Sequence, residues 1–198
     1  MHLLLIPLWI LLYELIPVSN QNIKRNIFSA IHSVISVYMS YNNEYTIIFY
    51  LSSSYYIYDM IMQFLSPAKL LSASTMTLTV HHVIAIYTLE YLNSTNEQLI
   101  NLFMYIFMLL EMSNFPVYMM YHWKQITKYK KESAATKIIE KLLLLLEILS
   151  FLTLRLIYSL YILVKYFNVF SYDLLAIASM LYILSIFWWI NMLYQLKK

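Results

Sequence analysis

The 198-residue sequence contains no glycine and no cysteine, and only 12% of its residues are charged. Each shortage removes a class of function. A phosphate-cradling loop, a dinucleotide-binding turn and a nucleophile elbow all need a residue without a Cβ where the backbone turns sharply or approaches a ligand. None of them can be built here. Disulfides, thiolate catalysis, Cys-ligated zinc and palmitoylation are excluded with the missing thiols. A soluble domain carries roughly a quarter of its residues as charges. This chain has too few to cover a globule in water.

What is present points to lipid as the solvent. The chain is 62% hydrophobic. A helix needs about 20 apolar residues to cross the hydrocarbon core. Apolar runs separated by short polar breaks predict seven helices, over 3–18, 26–41, 46–65, 70–92, 99–120, 142–164 and 169–193. The expected fold is therefore an all-α polytopic bundle with no separate soluble domain. The first run lacks a basic leader and a small-residue cleavage site, so it reads as a retained helix.

Charge placement agrees with this count. Lys24 and Arg25 follow the first helix and Lys69 the third. Lys124, Lys128, Lys130, Lys131, Lys137 and Lys141 follow the fifth, and Lys197 and Lys198 the seventh. All of these fall on one side if the N-terminus is outside. The other side receives only Lys165, while Arg155 lies within the sixth helix. By the positive-inside rule the C-terminus is expected in the cytosol. Asn93-Ser94-Thr95, a glycosylation acceptor pattern, then falls on the lumenal side. Trp188 and Trp189 fall near the cytosolic end of the last helix, where an aromatic belt would sit. The mild net charge of +3 is accounted for by this topology, and no nucleic-acid partner is expected.

Ionisable groups within a bilayer are costly and mark sites. His32, Asp59, His81, His82 and Glu111 share one depth, a third to a half of the way across from the cytosolic end of four different helices. They also lie on polar stripes at helical spacing. Arg25, Ser29, His32 and Ser36 form one. Ser52, Tyr55, Tyr56, Asp59 and Gln63 form another. On the fourth helix, Ser74, Thr77, His81 and Thr88 run beside Thr75, Thr79, His82 and Glu90. Glu111, Asn114 and Tyr118 align on the fifth. These stripes are expected to face inward around a polar cavity. Each member also has a plainer role as an interhelical hydrogen bond. Glu147 and Arg155, eight apart, read as packing or pairing groups.

Four stretches taken in order resemble the TLC domain of the translocon-associated, longevity-assurance and ceroid-lipofuscinosis neuronal membrane proteins. They are Lys24-Arg25-Asn26 through Ser29 and His32, then Ser54-Tyr55-Tyr56-Ile57-Tyr58-Asp59 with Ser where Gly is usual, then His81-His82, and finally Glu111-Met112-Ser113 with Pro116. The resemblance divides the chain into an additional helix at 1–23, a TLC-like domain at 24–193 and a short basic tail at 194–198. It implies lipid handling in the endoplasmic reticulum or a related internal membrane. The longer His-Asp cluster of ceramide synthases is missing, so the chain is more similar to the non-synthase branch.

Two readings stay open. In the first, the chain is a lipid acyltransferase. His81 or His82 would act as base or acyl acceptor, oriented by Asp59 or Glu111 with His32 nearby. Lys24 and Arg25 would receive the phosphates of an acyl-CoA co-substrate, and Tyr56 and Asn114 would contact substrate. In the second, the same layer binds a lipid headgroup without catalysis, tuned by histidine protonation. A metal enzyme is a weaker third reading. Membrane hydroxylases use many more than the five histidines present here, so no metal or other bound cofactor is expected. The oligomeric state is left open.

Overall fold

The structure is a computed structural model that describes residues 2–65, 73–92, 97–128 and 133–196. The Asn93 sequon, Lys69, Lys130, Lys131, Lys197 and Lys198 lie outside the described residues. Helices account for nearly all of the rest, and no strand occurs among the described residues. A short 3₁₀ turn leads into α1 (Ile6–Leu15). Then follow α2 (Gln21–Tyr41), α3 (Tyr45–Phe64), α4 (Ala73–Leu92), α5 (Glu97–Met112), α6 (Phe115–Thr127) and α7 (Ala134–Ser150). A π-helical segment, Phe151–Tyr158, joins α7 to α8 (Ser159–Lys165), and α9 is Tyr172–Leu196. Helices α5 and α6 make one bent rod, and α7, the π segment and α8 make another. The described residues thus form seven helical segments packed as one all-α bundle.

Three of these segments, Glu97–Thr127, Ala134–Lys165 and Tyr172–Leu196, are long and apolar enough to cross a membrane. Their outward faces fit that solvent. Leu142, Leu145, Leu146 and Leu149 of α7 are exposed, as are Ile183, Phe187 and Ile190 of α9. A continuous apolar surface of this kind is normal against lipid and is rare on a monomer in water.

Local chemistry sets several boundaries. The Asn20 side chain accepts from the amides of Asn22 and Ile23, capping α2. Asn43 takes a positive φ of 57° in the two-residue turn before α3, a conformation Asn tolerates better than most residues. The bend between α5 and α6 has a backbone cause. Pro116 has no N–H, and its ring displaces the carbonyl four residues earlier. The Asn114 amide bonds to the Glu111 carbonyl in a tight turn rather than to that of Leu110. The Leu110 carbonyl is thereby released for another donor.

Helix α2 packs on α3, α5 and α6, while α4 packs on α3 and α9. Helix α1 is part of this core. Trp9 is 0% exposed, and its indole N–H donates to Ser54 Oγ at 2.9 Å. Its ring meets Phe28, His32 and Tyr55 edge-on. The additional helix therefore seals one side of the polar layer.

Candidate functional site

The polar stripes meet inside the bundle in three linked groups. The first centres on Asp59 of α3, which is buried. Arg25, in the first turns of α2, grips it with two hydrogen bonds, Nε to Oδ1 at 2.9 Å and Nη2 to Oδ2 at 3.0 Å. Gln63, one turn along the same face, donates to Oδ2 at 2.7 Å. His82 Nδ1 lies 3.6 Å from Oδ2, too long for a hydrogen bond and close enough for charge to be felt.

The second group surrounds His32. Its Nε2 meets Ser52 Oγ at 3.1 Å and Ser36 Oγ at 3.2 Å. Its ring stacks on Tyr55 with centroids 3.8 Å apart, and the Tyr55 hydroxyl donates to Ser29 at 2.8 Å. Two small hydroxyl residues and one aromatic plane thus satisfy an imidazole that is 2% exposed. This is the plainer, hydrogen-bonding role for His32.

Glu111, at the end of α5, holds the third group together. Tyr56 donates to Oε1 at 3.1 Å, while Ser33 and Asn114 donate to Oε2. Asn114 then passes the contact on, because its Oδ1 accepts from Arg155 Nη2 at 2.9 Å. Arg155 is 3% exposed. It also donates to Ser113 Oγ at 2.9 Å and, at 2.7 Å, to the Leu110 carbonyl that the helix bend released. Its guanidinium lies over the rings of Phe151 and Trp188, at 4.5 and 5.9 Å from their centroids.

Tyr56 joins the groups, since its hydroxyl bonds Glu111 and its ring stacks on His82 at 4.9 Å. His81 sits beside His82, with centroids 5.8 Å apart, and meets the edge of Trp188 at 5.4 Å. Among the described residues, neither histidine's Nδ1 has a hydrogen-bond partner, and the same is true of the buried Ser53 hydroxyl on α3. A cavity of about 40 Å³, room for a few waters, lies against this layer. Tyr56, His81, Glu111 and Arg155 form its polar end. Leu89, Leu92, Phe103 and Phe107 continue it as an apolar crevice between α4 and α5.

His81 and His82 divide the properties a catalytic base needs. His81 lines the cavity and packs on the rings of His82 and Trp188, whereas His82 lies near the Asp59 carboxylate and is not among the lining residues. Lys24 and Arg25 hold carboxylates of the chain itself. Lys24 bonds Glu14 at 3.1 Å and lies over the Tyr13 ring, and Arg25 is clamped to Asp59. Each would have to leave its partner to receive a phosphate. Asn114 bridges two charged groups rather than standing open to a substrate.

Other members of the site were less visible in the sequence. Arg155 reaches α5 and not Glu147. Its signal was present, as the lone cation in the middle of an apolar helix. Ser33 lies one residue off the stripe of Ser29, His32 and Ser36, and faces Glu111 from the neighbouring stripe. Trp188 packs within the layer, on Arg155 and His81, instead of standing in an outward belt. No group of three or more potential metal ligands occurs among the described residues. No family model, curated protein or solved structure matches the chain.

Proposed function

We propose that the chain is a multi-pass, TLC-like membrane protein of an internal membrane that handles lipids. One observation carries this reading. A single network of buried ionisable groups, Asp59, His82, Glu111 and Arg155, with the half-buried Arg25 at its edge, runs through a bundle whose outside is apolar. Burying such groups in lipid is costly, and bundles that do so generally use them on a ligand or an ion. The crevice beside the network has one polar end and an apolar length, the polarity of an amphiphile.

The non-catalytic form of this function has the better support. Both carboxylates are saturated by the chain's own donors, and neither imidazole has both cavity access and a carboxylate. The polar end would then recognise a headgroup or carbonyl oxygen with groups already held in place.

Acyl transfer is favoured by a different observation: His81 is part of the cavity wall, and its Nδ1 has no hydrogen-bond partner among the described residues. There His81 would take the proton of a lipid amine or hydroxyl as that group attacks an acyl thioester carbon. The new C–N or C–O bond would form, the C–S bond would break, and the thiolate would leave with the proton returned by the imidazolium.

Substituting His81→Ala and His82→Ala separately, and following cellular lipid profiles at matched protein levels, tests both forms. Binding predicts a graded defect rescued by overexpression. Loss of one hydrogen bond costs about 0.5–1.5 kcal/mol, roughly a two- to tenfold weakening. Complete loss that no amount of protein restores would instead select acyl transfer. Wild-type profiles in both variants would remove the layer as a lipid site.

A further inference from the structure

Helices α4 and α5 are consecutive in the chain but do not pack closely on each other among the described residues. Helix α4 packs on α3 and α9, and α5 packs on α2, on the π segment and on α8. Partners on either side thus hold the two helices apart, and the crevice at His81 is the slot between them. It runs from His81 to Leu92 along α4, about 16 Å at the rise of an α-helix. Free space of about 40 Å³ over that length leaves room for one hydrocarbon chain at most.

The polar end of the slot is balanced in charge. One carboxylate, Glu111, and one guanidinium, Arg155, line it, and Asn114 bridges the two. What each leaves open differs. The three hydrogen bonds of Arg155 use Nε and Nη2 and go to neutral acceptors, so Nη1 donates to nothing among the described residues. Glu111 Oε1 accepts from Tyr56 alone, which leaves it a place for a further donor. The Nδ1 of His81 has no partner among the described residues. A head that fits therefore brings an acceptor for Arg155, a donor for Glu111 or His81, and no net charge. A cationic head would meet Arg155 and an anionic head Glu111, in each case without a second counter-charge.

Depth points the same way. His81 lies near the middle of α4 (Ala73–Leu92), and Arg155 lies well inside the apolar segment Ala134–Lys165. A head that reaches them gives up its water. That costs a charged group far more than a hydroxyl or amide that finds new partners.

We propose that this slot takes an uncharged single-chain lipid whose head carries both a carbonyl acceptor and an O–H or N–H donor, the chemistry of a monoacylglycerol or a fatty-acid amide. The inference rests on the lipid reading of the crevice and adds the class of lipid. Arg155 Nη1 donates to the carbonyl oxygen of the head. The head donates in turn to Glu111 Oε1 or His81 Nδ1. The chain lies between α4 and α5, toward Leu92.

Photolabelling tests this. The full chain is reconstituted in phosphatidylcholine vesicles with a monoacylglycerol that carries a diazirine in its acyl chain, and labelled peptides are mapped by mass spectrometry. Label is expected within 85–92 and 103–110. Label on the outward residues Ile183, Phe187 and Ile190 of α9 reports the surrounding bilayer. A roughly tenfold excess of unlabelled monoacylglycerol should lower the crevice label about tenfold by mass action and leave the outer label unchanged. The same excess of an alkylamine or an alkyl sulfate of equal chain length should leave both unchanged. Ala85→Phe, which fills the slot, should remove the crevice label alone. Equal competition by the charged lipids would overturn the class proposed here while leaving the crevice a lipid site. Outer label with no crevice label would remove the lipid reading of the crevice as well.

Discussion

At the scale of single residues, the polar layer is kept in place by cations that have no ordinary surface role. Arg155 makes three hydrogen bonds to the break between α5 and α6, at Leu110, Ser113 and Asn114, from within an apolar helix. Removing one partner of a buried charged network typically costs 3–5 kcal/mol. Arg155→Met is therefore expected to lower the unfolding midpoint in detergent by a corresponding amount. Arg155→Lys should not rescue it, because a single ammonium cannot reach Ser113, Leu110 and Asn114 together. An Arg155→Lys variant as stable as wild type would show that charge alone matters. The two other acid–base pairs provide a contrast of burial. Asp59→Asn leaves Arg25 without its clamp inside the bundle and should destabilise by about 3 kcal/mol. Glu14 is 68% exposed but Lys24 only 8%. Glu14→Gln removes a solvated acid and leaves a buried ammonium over the Tyr13 ring without its carboxylate. It should cost less than Asp59→Asn, about 1–2 kcal/mol. Thermal scans of the two variants side by side check the ranking.

At the scale of elements, two irregular stretches place the network. The break at Ser113 and Asn114 turns a carbonyl and two side chains toward Arg155. The π segment opposite carries Arg155 at its centre, and π-helical turns are often found at functional positions. Neither irregularity would help a helix that only needed to span lipid. Pro116→Ala restores an amide and lets α5 and α6 approach one continuous helix. The Leu110 carbonyl would then regain a helical donor, and Arg155 would lose its shortest contact. The expected result is a stable protein whose amides at 113–115 gain hydrogen-exchange protection while the polar layer loosens. Unchanged protection there would show that Arg155, rather than the proline, holds the bend. Ser113→Ala, by removing the Nε acceptor, should cost about 1–3 kcal/mol.

At the scale of the whole molecule, topology and function are tied by where the basic residues fall. If the N-terminus is outside, as the basic residues predict, the Arg25–Asp59 clamp lies toward the cytosolic face. A tag placed after Lys198 should then be reached by protease in intact microsomes. A tag digested only after the membrane is opened would invert the orientation.

How much of this was readable from the chain alone differs by level. Helix count and approximate bounds followed from apolar periodicity, because burial in a helical bundle imposes a 3.6-residue repeat that the sequence must carry. The stripes bearing His32, Asp59, His82 and Glu111 followed from the same repeat, and the cost of charge in lipid marked those residues out. Periodicity assigns a residue to a face but says nothing of which neighbouring helix that face meets. The pairing of Arg25 with Asp59, the division of roles between His81 and His82, and the span from Arg155 to Ser113 were decided only by how the helices pack. The same is true of Trp9, whose helix looked like an appendage and proved to be a wall of the core. Composition determined that the chain would form long apolar helices, three of them able to cross a membrane. Tertiary structure decided which buried groups satisfy one another, because hydrogen-bond partners more than 20 residues apart are chosen by packing geometry and not by local sequence.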